Sequence, residues 1–227
     1  MPDSISEKNM NTSQNEVLPG GKFLSWLNEV KKLHKTDKGM DVPCGDCTAC
    51  CTSSYFIHIR PEEKETLKQI PDELLFPAPG RPKGHVLMGY DENGHCPMFK
   101  NNKCSIYHHR PQTCRNYDCR IFTATEVVES ADKTAIIRQA GKWQFDFTAQ
   151  EDRKHLTALR AAARFLQEHK DSFPDGFVPS NVTQQAYMAI RVYTLFLNNH
   201  HEGNAADNGK PESRMIADIV RMYDSKS

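Results

Sequence analysis

Cys44-Gly45-Asp46-Cys47-Thr48-Ala49-Cys50-Cys51 decides how this chain is read. Three sulfurs stand at consecutive two-residue gaps, and a fourth follows directly. Gaps of two let a loop curl until successive sulfurs converge on one centre. A lone Cys-x2-Cys suits tetrahedral zinc, whose structural sites usually combine two such pairs. Three in series is instead the spacing of the bacterial ferredoxin run, in which a distal cysteine before proline completes a cluster. Plain core packing accounts for single buried thiols, not for this arrangement.

Further along, four more cysteines follow as Cys96-x7-Cys104-x9-Cys114-x4-Cys119, so all eight lie between positions 44 and 119. Cys96 precedes Pro97, which makes it the distal candidate for a first cluster of Cys44, Cys47, Cys50 and Cys96. Adjacent side chains point apart, so Cys51 is expected to face elsewhere, toward a second centre with Cys104, Cys114 and Cys119. The alternative is that four cysteines bind metal while the others pack, become redox-active or assist assembly. No second Cys-x2-Cys exists, which weakens a paired zinc ribbon. Imidazole is a possible ligand, but His95, His108 and His109 are not needed where cysteines suffice.

Around the second group, Lys103, Arg110, Arg115 and Arg120 face only Asp118 in acidic charge. Four thiolates leave a metal unit negative, and nearby guanidinium groups favour that charge. Arg110 and Arg115 are therefore expected beside the ligands, orienting them and tuning the centre. Arg120 alone reads as a solvated residue.

These motifs carry a resemblance. The Cys44–Cys51 run, then Gly94-His95-Cys96-Pro97, Cys104-Ser105-Ile106-Tyr107 and Arg110-Pro111-x2-Cys114-Arg115-x-Tyr117, occur in the order of the CxxCxxCC cysteine-cluster family, also called YkgJ-like. The chain resembles that family over residues 40–122. The resemblance implies a zinc- or iron-chelating domain with ligands at Cys44, Cys47, Cys50, Cys51, Cys96, Cys104 and Cys114; Cys119 matches less closely. A branch of the family occurs in flagellin lysine N-methylases, where an iron–sulfur site is implied.

Outward from the cysteines, the chain has 227 residues, 38% of them hydrophobic and 9% aromatic, enough for a modest core that a metal would reinforce. Lys+Arg and Asp+Glu number 29 each. No global charge excess points to nucleic acid, though a local basic patch stays open. Met1–Pro19 lacks the basic and apolar regions of a secretory leader, and no apolar run approaches a membrane span. A cytoplasmic protein with reduced thiols is expected, not four disulfides.

The predicted fold is α+β: a loop-rich cysteine core with short strands, then a mostly helical C-terminal part. Residues 1–20 read as a disordered tail, 21–147 as the metal-binding domain, and 148–227 as a helical extension packing on it. Helices are predicted over Lys22–Leu33, Glu151–Lys170, Val182–Asn198 and Arg214–Tyr223 from apolar residues at helical spacing, and over Glu62–Gln69 because Pro61 suits a first helical position. Tyr55–Ile59 and Val86–Tyr90 read as strands. Pro71–Gly84, with four prolines and two glycines, reads as irregular, and His200–Ser213 as a mobile loop.

Motifs for dinucleotide binding, nucleotide hydrolysis, zinc proteolysis and serine hydrolysis are all missing. Four functions remain in order: an iron–sulfur protein, [4Fe–4S] by preference, in a redox or accessory role; a zinc-stapled module for an unidentified protein partner; metal storage or delivery; and a metal-dependent enzyme, disfavoured because thiolates would fill every coordination position. Nucleic acid and membrane are not expected as partners.

Overall fold

A computed structural model describes residues 17–33, 39–40, 42, 44–127, 134–197 and 210–224. The predicted tail lies outside the described residues up to position 16, and the predicted loop outside them over 200–209. The last residues of that tail already belong to a strand, β1 (Leu18–Lys22). It pairs in parallel with β7 (Trp143–Asp146), Leu18 opposite Trp143 and Lys22 opposite Asp146. Gly20 is what permits the approach: a Cβ there would stand 2.9 Å from the Gln144 carbonyl oxygen. This pairing escaped the sequence reading because β1 is two glycines and a proline among five residues.

Helix α1 (Phe23–Lys32) follows at once and buries Phe23, Trp26, Leu27 and Val30, the stripe its spacing predicted. The long helix α6 (Gln150–Glu168) starts where Asp152 accepts a 2.9 Å hydrogen bond from the Ala149 N–H, three residues back. Its buried face alternates Ala158, Ala162 and Ala163 with Leu159 and Leu166. The alanines let α7 (Val182–Val192), with Ala186 and Ala189 buried, approach closely. Each fully buried leucine contributes about 1.5–3 kcal/mol. Helix α7 gives way to a 3-10 turn at Tyr193–Phe196, short of the predicted end.

Helices α1, α6 and α7 pack with a short helix that the sequence did not announce, α4 (Arg120–Thr125), which holds Ile121, Phe122 and Ala124 in the same core. Helix α5 (Thr134–Ala140) and the C-terminal helix α8 (Lys210–Asp224) complete this layer. The helical C-terminal part thus shares one core with α1 and α4.

A second core is much smaller. Strands β2 (Ile57–Ile59), β3 (Leu75–Pro77) and β4 (Val86–Met88) form an antiparallel sheet in the order β2-β4-β3. Beneath it lie five buried residues: Ile59, Ile70, Met88, Met98 and Ile106. Strand β3 occupies the Pro-rich stretch predicted to be irregular; its proline sits on an edge strand, where a missing N–H is tolerated. Helix α2 (Lys64–Leu67) is shorter than predicted because Pro61 is followed by a turn, not a helix. Short strands in three small sheets beside dominant helices make the α+β class.

Candidate metal centre

Two tight turns shape the Cys44–Cys51 loop. The Cys47 N–H donates to the Cys44 carbonyl at 2.9 Å, with Gly45 between them at φ +53°. The chain then enters a 3-10 turn over Ala49–Thr52, closed by the Cys51 N–H on the Thr48 carbonyl at 2.9 Å. A 3-10 turn advances by a third of a circle per residue. Cys50 and Cys51 consequently point in different directions. Ala49 anchors the turn in the helical core, and buried Ser53 donates to the Ala49 carbonyl at 2.6 Å.

Cys51 faces the small sheet. Its carbonyl accepts from the Cys96 N–H at 2.8 Å. The chain turns back through hairpin strands β5 (Phe99–Lys100) and β6 (Lys103–Cys104), whose two-residue link, Asn101-Asn102, has φ of 53° and 58° as a type I′ turn requires. Phe99 donates to the Cys96 carbonyl and pairs with Cys104, so the hairpin brings Cys96 and Cys104 to one end. Helix α3 (Gln112–Asn116) carries Cys114 and is tied to β2 by Thr113 Oγ1 on the His58 carbonyl at 2.6 Å.

Cys119 goes the other way. It precedes α4, is buried in the helical core, and accepts a hydrogen bond from Trp143 Nε1 at 3.2 Å. Beside it, the Asp118 carboxylate is fully buried. It accepts from Trp26 Nε1 at 2.8 Å and pairs with Arg120 at 2.8 Å, while Arg120 also donates to the Gly20 carbonyl. One network thus fastens β1, α1 and the Cys119 loop together. Arg120 is no solvated residue; it neutralises a buried carboxylate. The signal for it, an Asp-x-Arg bracketing a cysteine, was present but reads as nothing without Trp26.

All eight thiols are free. They fall into two neighbourhoods by the charge each would feel. Burial, followed by the Cys47 charge, pushes Cys44 up to about 11. Cys119 rises to about 12 through burial, with Asp118, Cys44 and Cys47 adding to it and the Trp143 hydrogen bond opposing. Cys50 is exposed to solvent but densely enclosed on the protein side; that enclosure, then Cys119, Cys44, Cys47 and Cys114, raises it. In the other neighbourhood burial leads again: Cys51 rises to about 12 with help from Cys96, Cys104 and Cys47, and Cys114 rises under Cys96, Cys51 and Cys104. The groups are Cys44, Cys47, Cys50 and Cys119 against Cys51, Cys96, Cys104 and Cys114. Cys114 acting on Cys50, and Cys47 on Cys51, link the two. The expected first cluster took Cys96; here Cys96 lies with Cys51 and Cys104, and Cys119 with Cys44 and Cys47. The backbone bond to Cys51 and the hairpin hold Cys96 with the sheet, whereas α4 and Trp143 hold Cys119 with the helices.

Of the two arginines expected beside the ligands, Arg110 stacks over the Tyr107 ring at 4.1 Å and its charge eases both Cys44 and Cys114. Arg115 turns instead to the Gln112 side chain and the Arg110 carbonyl, bracing backbone. Among the described residues, no three His, Cys, Asp or Glu side chains stand as a ready-made group around one ion. The donor set is nevertheless all thiol in both neighbourhoods, which fits zinc or an iron–sulfur unit and not a hard cation.

Residues 43–138 match the family model CxxCxxCC, described as a "putative zinc- or iron-chelating domain". These residues form a CxxCxxCC domain. Seven of its cysteines are those the sequence resemblance named, and Cys119 falls inside its bounds as well. No curated protein and no solved structure matches the chain. The helical layer built from α6, α7 and α8 lies beyond the CxxCxxCC domain in sequence but completes the core in which Cys119 and Ala49 are set. No helix among the described residues is long and apolar enough to cross a membrane.

Proposed function

We propose that the CxxCxxCC domain holds two all-thiolate iron–sulfur centres, one on each cysteine group, in a cytoplasmic redox or accessory role. The observation that carries this reading is the division of the eight thiols four and four, with Cys50 and Cys51 on different sides across one peptide bond. Cys44, Cys47, Cys50 and Cys119 would hold one centre, and Cys51, Cys96, Cys104 and Cys114 the other. Such a unit, when bound, accepts and releases single electrons at a potential set by charge and hydrogen bonds at its sulfurs. This chain supplies both: the Trp143 N–H on Cys119, and the Arg110 and Arg120 charges near Cys44. Upward-shifted thiols are costly to ionise alone, so metal charge is what would make thiolates of them, and ligation would draw them together.

The small sheet core favours a second reading for its group. Five buried residues supply little stability, and a zinc ion on Cys51, Cys96, Cys104 and Cys114 would staple the sheet as a protein-interaction module.

Metal and sulfide analysis of protein purified without oxygen separates these. About eight iron and eight sulfide per chain, with a broad visible band bleached by air, support two [4Fe–4S] centres. Two zinc ions and no colour would replace the first reading with the second. Four iron and one zinc would divide the roles between the two groups.

A further inference from the structure

We propose that the Glu63 carboxylate is a positioning residue for the second cysteine group: it holds the start of α3, and with it Cys114, against Cys51, Cys96 and Cys104. This rests on the assignment of Cys114 to that group, and it stands whether the group carries zinc or an iron–sulfur unit. Of the glutamates at 62, 63 and 65, the outer two are exposed, whereas the Glu63 side chain is only 5% exposed. A carboxylate is costly to bury unless its oxygens are engaged. Glu63 divides its oxygens between distant parts of the chain. Oε1 accepts from the Arg60 N–H at 2.9 Å, closing the turn ahead of α2. Oε2 accepts from the Gln112 N–H at 2.6 Å, across 49 residues of sequence.

Gln112 opens α3, and its N–H has no acceptor within the helix. The residue before it is Pro111, whose side chain cannot cap it. Glu63 fills that role from another element, with a charged acceptor that bonds more strongly than a neutral one. One residue on, Thr113 Oγ1 donates to the His58 carbonyl at 2.6 Å. The sheet layer thus grips α3 at both residues before Cys114. The helical layer grips the other end: the Tyr187 hydroxyl donates to the Asn116 carbonyl at 3.1 Å, and the Met40 N–H to the Arg115 carbonyl at 2.8 Å. Cys114 is the middle residue of the five, between the two grips. Without Glu63, the start of α3 is free to swing about the end that the helices hold. Glutamine cannot replace it. Two N–H groups each need an oxygen at this side chain; glutamine has one acceptor oxygen, and its NH2 would face the other N–H.

The test times metal release to excess chelator from full-length chains that carry one loaded group. In Cys47→Ser, which keeps the second group, adding Glu63→Gln should speed release about tenfold or more. Thr113→Val should act in the same direction, less strongly. In Cys104→Ser, which keeps the first group, Glu63→Gln should leave release unchanged. Iodoacetamide present during release, with mass spectrometry of the peptides, reports which sulfur detaches first. With Glu63→Gln, Cys114 should be labelled ahead of Cys51, Cys96 and Cys104. A general loosening of the sheet, as in Met88→Ala, should label the four together. Release from the second group that Glu63→Gln leaves unchanged overturns the proposal, and so does labelling of all four at once. Where Glu63→Gln does not load, Thr113→Val decides by the same labelling order. A Cys47→Ser chain that binds no metal is a different result: it overturns the two-centre reading, and the proposal with it.

Discussion

The two cysteine groups contain four thiols each and sit in different surroundings. In the first group Cys47 and Cys119 pack in the thick helical core, with a buried ion pair and two indole N–H groups beside Cys119. In the second group Cys96 and Cys104 pack against the thin sheet core at a two-residue hairpin, and Cys114 rides on a five-residue helix. The first group adjoins a core of thirty buried residues; the second adjoins one of five. Identical ligands therefore do not imply identical tasks: the first surroundings suit tuning, the second stapling.

The largest effect should come from removing one thiol of each group. Cys47→Ser is expected to abolish metal on the first group and leave the second loaded; Cys104→Ser should do the reverse. Metal analysis per chain reads the result as a loss of half, and loss of all metal in either variant would break the two-centre picture. Cys119→Ser should behave like Cys47→Ser, and Cys96→Ser like Cys104→Ser. If Cys96→Ser instead empties the first group, the order written in the linear spacing is right and the spatial grouping is wrong.

Next comes the buried pair beside the first group. Asp118→Ala leaves the Arg120 charge buried and unmatched, and strands Trp26 Nε1. Chemical denaturation should show a loss of about 3–5 kcal/mol. Met88→Ala in the thin sheet core should cost about 2–5 kcal/mol. The two losses are alike in size but should differ in kind. Asp118→Ala should loosen the first group's metal and Met88→Ala the second's, which chelator competition can tell apart.

Acidity sharpens the contrast between metal-free and loaded protein. In the metal-free fold Cys44, Cys51 and Cys119 titrate at about 11 to 12, above the ordinary thiol value of 9.0. The unfolded chain therefore loses these protons first. Stability from this source is complete below about 9 and is lost as pH rises toward 12. Metal-free protein should melt progressively lower across that window. Loaded protein should not, since its thiolates are already ionised; it should instead release metal as pH falls. A metal-free melt that rises between pH 9 and 12 would contradict the burial of these thiols.

How far the sequence carried is visible in the same comparison. The α1 stripe, α6 and α7 were legible because helical burial leaves a periodic mark. The cysteine inventory was legible because spacing alone singles it out. The allocation of Cys96 and Cys119 was not. It depends on which face of a 3-10 turn Cys51 leaves from, and on a parallel strand pair, β1 with β7, that brings Trp143 to Cys119 from 24 residues away. Proline after Cys96 suggested a ferredoxin-like role by analogy of sequence. In space, the Cys51 carbonyl and the hairpin outweigh that analogy. Arg120 was misread for the same reason: its partner in charge is two residues away, but what makes that charge worth burying is Trp26, on another element.

Trp143→Phe should have the smallest effect and the most selective one. An aromatic ring remains beneath Arg120, though a smaller one, while the N–H on Cys119 is lost. One hydrogen bond of this kind is worth about 0.5–1.5 kcal/mol. A thiolate that loses a donor becomes more electron-rich, which favours the oxidised state. Under the iron–sulfur reading, the first group's reduction potential should fall by an amount on the order of tens of millivolts, with the second group's unchanged. Titration of the visible band resolves two steps if the groups differ enough. A shift in both steps would mean that Trp143 acts through the fold as a whole, and a shift in neither would mean that the bond to Cys119 gives way once metal draws the sulfur inward.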